Sequence, residues 1–132
     1  MNRLVNFLVL GLFMALTVSL VSCSAPATPV EQVGEISWEE TKDNVDKTLT
    51  VCGPIVTGTI LGEDTYVLSM GKSIFEGGFA VSIAVTDAPK FPEGDPIKAY
   101  VDKTICVTGK IYANEYGGIS ITPTDPSQIT VK

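Results

Sequence analysis

From Thr48 onward, apolar side chains recur at every second position, the period of a strand that rests one face on a core. This alternation predicts five strands. The first is Thr48–Ile60, interrupted at Gly53-Pro54, and it is followed by Tyr66–Met70, Phe79–Val85 and Thr104–Tyr112. The fifth begins at Gly118–Thr122 and resumes at Gln128–Val131. Gly62-Glu63-Asp64, Glu76-Gly77-Gly78 and Glu115-Tyr116-Gly117-Gly118 mark the hairpin loops, where glycine supplies the backbone freedom that tight turns demand. Between the third and fourth strands, Pro96–Val101 has room for one helical turn. The alternation also assigns faces. Leu49, Val51, Leu68, Met70, Phe79, Val81, Ile83, Val85, Ile105 and Val107 fall on the core side. Val67, Ser69, Ala80, Ser82 and Ala84 point the other way and predict a small, flat, neutral outer surface.

Ahead of the strands the pattern changes. Ser37-Trp38-Glu39-Glu40 is a capping box: the Ser37 hydroxyl can accept from the Glu40 amide while the Glu40 carboxylate reaches back to the Ser37 amide. Two acids in the first turn suit the helix dipole. A helix to about Asn44 is predicted, with Ile36, Trp38 and Val45 set to meet the sheet. The segment SAPATPVEQVGE before it holds two prolines and no apolar period, and reads as a disordered tether.

The chain opens with Arg3 and an apolar run from Leu4 to about Leu20, long enough to just span a bilayer. Leu20-Val21-Ser22-Cys23 follows, a small-residue cleavage site of the signal-peptide kind. With cysteine right after the cut, it resembles the lipobox of bacterial lipoproteins. That resemblance implies a signal peptide at residues 1–22, lipidation at Cys23, a linker over residues 23–35 and a folded domain over residues 36–132. It places the domain on the extracytoplasmic face of a bacterial membrane. Several acyl chains on Cys23 would anchor stably where one would not. The alternative is an uncleaved anchor helix with an incidental cysteine; both put the domain outside the cytoplasm.

Charge and cysteines then narrow the chemistry. The full chain carries a net charge of −6, and removing residues 1–22 takes away its one arginine. No histidine is present, so the commonest general base is missing. Serine or cysteine nucleophiles paired with histidine cannot be built. Gly71-Lys72-Ser73 ends like a phosphate loop, but Tyr66 stands where that motif needs its first glycine. Glu63-Asp64, Glu93, Asp95 and Glu115 could hold a cation weakly, yet their spacing matches no loop motif and solvated turn charges are the commoner meaning. No enzyme, cofactor or metal is expected. With Cys23 acylated, Cys52 and Cys106 remain, and two cysteines in an oxidising compartment are more often bonded than free.

Val45–Gly53 reads VDKTLTVCG and Val101–Gly109 reads VDKTICVTG, identical at six of nine positions. The two copies carry their cysteines at different places.

Five short strands, a long glycine-broken first strand and an insertion after the third suggest a small all-β Greek-key barrel. ISWEETKDNVDKTLTVCGPIV, YVLSMGKS, FAVSIAV, KTICVTGKIY and TDPSQI, in this order, resemble an OB-fold (oligonucleotide/oligosaccharide-binding) domain of exported bacterial proteins. Two departures stand out. The familiar Gly-Lys before the first and fourth strands is Asp46-Lys47 and Asp102-Lys103 here, and Asp tolerates a turn. Ser69-Met70-Gly71 replaces an expected Asn-Leu-Gly, removing an amide side chain. The resemblance implies that the first and fourth strands lie antiparallel and side by side, which would explain the echo as strand pairing and bring Cys52 to Cys106 as a disulfide. It also places a ligand site on the outer face of the second and third strands and the loops beside it. The candidate binding residues are then Tyr112, Tyr116, Phe75, Lys72 and Lys110, with Ser69 and Ser82 on the face between. For the tyrosines the alternative is a purely structural role covering a barrel end. The expected function is a non-catalytic, membrane-anchored, monomeric binding module for single-stranded nucleic acid or another oligomer. The acidic balance and bland face favour the alternative, a protein-interaction module of an envelope complex.

Overall fold

The computed structural model describes residues 33–132. The expected signal peptide, Cys23 and most of the expected tether lie outside the described residues.

Eight strands form one curled sheet: β1 (Glu35–Ser37), β2 (Thr48–Leu61), β3 (Thr65–Met70), β4 (Phe79–Ala84), β5 (Thr104–Lys110), β6 (Tyr112–Ala113), β7 (Ile119–Ile121) and β8 (Ile129–Val131). Their order is β6-β7-β4-β3-β2-β5-β8, with β1 beside β2. The fifth strand of the sequence reading is split in two. Its first half, β7, runs parallel to β4, and its second half, β8, runs antiparallel to β5, so the two pieces sit at opposite ends of the sheet. This is an all-β barrel of the OB type.

The echo is strand pairing. β2 and β5 run antiparallel with Thr50 opposite Thr108, Val51 opposite Val107 and Cys52 opposite Cys106. Val51, Ile105 and Val107 point into the barrel with no exposure. Each copy's turn clamps the far end of the other copy's strand. The Asp46 amide donates to the Ile111 carbonyl and the Ile111 amide to the Lys47 carbonyl. Likewise the Asp102 amide donates to the Ile55 carbonyl and the Ile55 amide to the Lys103 carbonyl. Both turns need a left-handed residue, and Asp46 (φ 69°) and Asp102 (φ 66°) supply it; Asp is among the few non-glycine residues at ease there.

The capping box forms as expected, with the Ser37 amide donating to Glu40 Oε2 at 2.8 Å. The helix it starts, Trp38–Asn44, is however a 3-10 helix. Thr41 turns its hydroxyl onto the Trp38 carbonyl at 2.7 Å, and a run of Thr, Asp and Asn has little α-helical preference to resist such local bonds. Upstream, Gly34 and Glu35 belong to the sheet and not to the tether. The Thr50 amide donates to the Gly34 carbonyl, and Glu35 lies opposite Thr50 in a parallel pair.

The core gathers Val51, Ile55, Leu68, Met70, Phe79, Val81, Ile83, Ile105, Val107, Ile111 and Ile121. Val85, expected among them, is exposed: its amide makes the last link to Asp64, and the chain then turns away into a 3-10 turn at Ala88–Lys90. The short helix α1 (Pro96–Tyr100) starts at Asp95, whose carboxylate accepts from the Ile97 and Lys98 amides. It buries Ala99 and Tyr100, and the Tyr100 ring meets Phe91 edge-on at 6.4 Å.

Candidate functional site

The outer face of β3 and β4 is not the flat surface that alternation alone predicts. Val67, Ser69 and Ala80 are 3%, 2% and 6% exposed. The segment Gly71–Gly78 and the Trp38–Asn44 turn contribute to the walls of a groove of about 770 Å³ over this face. Its lining includes Val67, Ala80 and Ser82 below, with Trp38, Lys42, Lys72, Phe75, Asn114 and Tyr116 around them. The hairpin between β6 and β7 supplies the last two.

Glycine makes room for the tryptophan wall. A Cβ on Gly53 would stand 2.6 Å from Trp38 Cδ1, and one on Gly71 would sit within the indole ring. Gly71 also holds φ +81°, a conformation side chains resist. Lys72, next in sequence, places its ammonium 5.9 Å from the Trp38 ring centroid, a cation–π contact.

Two aromatic rings stand free at the mouth. Phe75 is 83% exposed and Tyr116 88% exposed, on two different loops. Each is presented by a tied-down turn. The Ser73 hydroxyl accepts from the Phe75 amide at 3.3 Å, and the Ile74 amide donates to the buried Ser69 hydroxyl at 3.3 Å. In the other loop, Asn114 Oδ1 accepts from the Tyr116 and Gly118 amides at 3.0 and 2.9 Å, while its Nδ2 donates to Ser120. The rings are therefore held out by backbone anchors.

Of the residues singled out from sequence, Phe75, Tyr116, Lys72 and Ser82 converge on this groove. Ser69 sits beneath the Gly71–Gly78 segment, closed off from a ligand because its hydroxyl anchors that segment. Tyr112 is half-buried, with its hydroxyl 2.7 Å from the Thr122 hydroxyl, outside the groove lining. Lys110 lies at the far end of β5 opposite Thr48. Trp38, Lys42 and Asn114 were not marked as site residues. Trp38 reads from sequence as a packing residue, and only the two glycines facing it hint that the ring is a wall.

Cys52 and Cys106 form a disulfide with an S–S distance of 2.05 Å. Glu35 lies close to both sulfurs, but its carboxylate pairs with Lys132 at 2.8 Å and the sulfurs are bonded to each other. Shifted ionisable groups lie elsewhere. Burial pushes the Tyr100 phenol up, the Asp87 partner raises Lys90, and hydrogen bonds from Ser127 lower Asp125. Among the described residues no helix is long and apolar enough to cross a membrane.

No protein-family model and no curated protein matches the chain. Solved structures do. A chain named as an aspartyl-tRNA synthetase from Leishmania major Friedlin superposes with a TM-score of 0.50 at 14% identity, over 80% of this chain and 22% of its own. An aspartyl-tRNA synthetase from Entamoeba histolytica gives 0.49 at 16% identity, over 75% of this chain and 21% of its own. The likeness is one of fold. This chain spans about a fifth of the length of either enzyme.

Proposed function

We propose that this protein is a non-catalytic binding module, tethered by a lipidated Cys23 to the extracytoplasmic face of a bacterial membrane, that holds an oligomer such as single-stranded nucleic acid in the groove beside Trp38. One observation carries the reading: Phe75 and Tyr116, both almost fully exposed, are anchored at the mouth of a groove whose floor is small and apolar. Large aromatic rings are not left in water without cost, and rings held over a groove are the means by which single strands are stacked. The fold supports it, since the groove lies where barrels of this type take ligands. The neighbours' name, aspartyl-tRNA synthetase, belongs to enzymes that act on a nucleic acid. The missing histidine supports a binding role over a catalytic one. The Leu20–Cys23 lipobox supports the location.

The test is a fluorescence titration with single-stranded DNA at low and moderate salt. Binding that is lost in Phe75→Ala and Tyr116→Ala variants is the expected result; no binding even at low salt removes the nucleic-acid reading.

A second reading draws on the far half of β2, whose Leu61 also borders the groove. The half of β2 beyond Ile55 pairs with β3 on one edge and, among the described residues, has no strand on the other. Its residues Val56–Leu61 include exposed Val56, Ile60 and Leu61 and carry no charge or proline, the devices that normally protect an edge. An extended segment of an envelope protein could add to it as a strand.

A further inference from the structure

The disulfide has a third neighbour that cross-linking does not require. Glu35, Cys52 and Cys106 bring one carboxylate oxygen and two sulfurs within 4.8 Å of one another. None of the three lines the groove beside Trp38. We propose that reduction of the Cys52–Cys106 bond turns this trio into a site for a zinc-like divalent cation. The protein then exchanges a covalent link between β2 and β5 for a metal one.

The backbone holds the trio without help from the S–S bond. Cys52 and Cys106 are directly opposite in the β2–β5 ladder, with Cα atoms 4.1 Å apart. On the other edge of β2, β1 sets Glu35 opposite Thr50 and Ser37 opposite Cys52. The Thr50 amide fixes that register by donating to the Gly34 carbonyl at 2.9 Å. β8 flanks β5, with Thr130 opposite Cys106. Reduction removes none of these pairings, so the thiols stay side by side. A tetrahedral cation about 2.3 Å from each thiolate needs the sulfurs on the order of 3.8 Å apart. Side chains directly opposite in a ladder reach that by rotation alone.

The donor set selects the metal. Two thiolates disfavour magnesium and calcium, which take oxygen ligands. A carboxylate as third ligand suits zinc better than copper(I), which prefers soft donors throughout. Three protein ligands leave water the fourth position. Two thiolates, one carboxylate and a divalent cation sum to a charge of about −1, and Lys132, 2.8 Å from Glu35, is placed to offset it. A carboxylate has two oxygens, so Glu35 can keep Lys132 on one and give the other to the metal.

The opening step is thiol–disulfide exchange with a dithiol. One dithiol sulfur attacks Cys52, which is partly exposed where Cys106 is only 5% exposed. The Cys106 sulfur leaves as a thiolate. The second dithiol sulfur then displaces Cys52, so the dithiol departs as a disulfide and its two protons pass to the cysteines. The metal releases both protons to solvent as it binds.

The experiment uses the full chain in detergent micelles, with Cys23→Ala so that no third thiol competes. The protein is reduced with a phosphine, desalted without oxygen and titrated with cobalt(II), then with zinc. The expected result is one cobalt per chain, with the intense visible bands of tetrahedral thiolate coordination, displaced by zinc. The oxidised protein should show no such bands. Glu35→Gln should weaken cobalt by about tenfold or more, since even a partner outside the ligand set is worth that much. Zinc should raise the urea midpoint of the reduced protein and leave that of a Cys52→Ser, Cys106→Ser variant unmoved. Absence of thiolate–cobalt bands in the reduced chain overturns the proposal. So does equal cobalt affinity in Glu35→Gln. Loss of the native circular dichroism on reduction overturns it too, because the site depends on the ladder outlasting the bond.

Discussion

Thr50 and Thr108 face each other across β2 and β5 with their hydroxyl oxygens 2.7 Å apart. Two residues along the same ladder, Cys52 faces Cys106 in the disulfide. The repeat VDKTLTVCG/VDKTICVTG makes these two pairs equivalents. Thr50 occupies in its copy the place of Cys106, and Cys52 the place of Thr108. An antiparallel pairing of two copies has a local two-fold relation, so each cross-strand pair has a counterpart. One counterpart is a covalent bond and the other a hydroxyl contact. The offset of the cysteines between copies is what lets them meet: at the same place in both copies, they would sit two residues out of register.

It follows that the bridge can be moved. In the quadruple variant Thr50→Cys, Thr108→Cys, Cys52→Thr, Cys106→Thr, the new cysteines should oxidise to a disulfide. Removing the native bond alone, by Cys52→Ala and Cys106→Ala, should cost about 4 kcal/mol by the chain-entropy model for a loop of this size. The moved bond closes a loop of similar length and should restore most of that. Mass spectrometry without reductant and a urea midpoint check both statements. Two free thiols in the quadruple variant would show that the pairs are not equivalent.

Around Trp38 the ranking of three substitutions is set by what each disturbs. Ser37→Ala removes an exposed cap and should cost about 1 kcal/mol. Trp38→Ala leaves the space over Gly53 and Gly71 open and should cost about 3 kcal/mol. Gly71→Ala combines a left-handed backbone with a collision against the indole ring, and should cost about 3 kcal/mol or more. Trp38 emission should fall between the buried and exposed limits and blue-shift when a ligand fills the groove. An emission maximum already at the exposed limit in the native protein would contradict the packing.

Much of this barrel is legible in the sequence, and the parts that are not share one cause. Period-two alternation assigned Val51, Leu68, Val81, Ile105 and Val107 to the interior, and the Asp-Lys pairs marked turns at Asp46 and Asp102, because those facts are local to a strand and its ends. Alternation also put Val67, Ser69 and Ala80 on the opposite face, which is right. It carried no information on what covers that face, and the loop from Gly71 to Gly78 folds back over it through the Ser69 hydroxyl. The same blindness hid Trp38 as a groove wall. Its contacts with Gly53 and Gly71 join residues far apart in the chain, and glycine in a sequence announces a turn before it announces a vacancy. Tyr112 and Tyr116, four residues apart, were alike in sequence; only the Asn114 turn separates the free one from the half-buried one.

The proposed membrane attachment rests on a different part of the chain. Cys23→Ala should release the protein into the soluble fraction with the melting temperature of the domain unchanged, since residues 24–32 add no apolar period to the core. Fractionation of the variant beside the wild type tests this. A variant still in the membrane fraction means an uncleaved helix or a partner holds it there.

The contrast between the two tyrosines separates structure from binding. Tyr112 is half-buried and its hydroxyl meets Thr122 across β6 and β7, so Tyr112→Ala should lower the melting temperature and leave ligand affinity as it was. Tyr116 has 88% of its surface in water and is tied to the fold only through its backbone amide, which donates to Asn114 Oδ1. Tyr116→Ala should leave the melting temperature alone and lose about 1–3 kcal/mol of affinity if one ligand unit stacks on the ring. Asn114→Ala makes the argument sharper. It keeps the ring but frees the turn, so it should weaken binding through the cost of ordering the loop, and by less than removing the ring itself. Thermal melts and titrations on the three variants read out the pattern. Equal losses of stability in Tyr112→Ala and Tyr116→Ala, with affinity unchanged in both, would mean that the exposed ring has no ligand to hold.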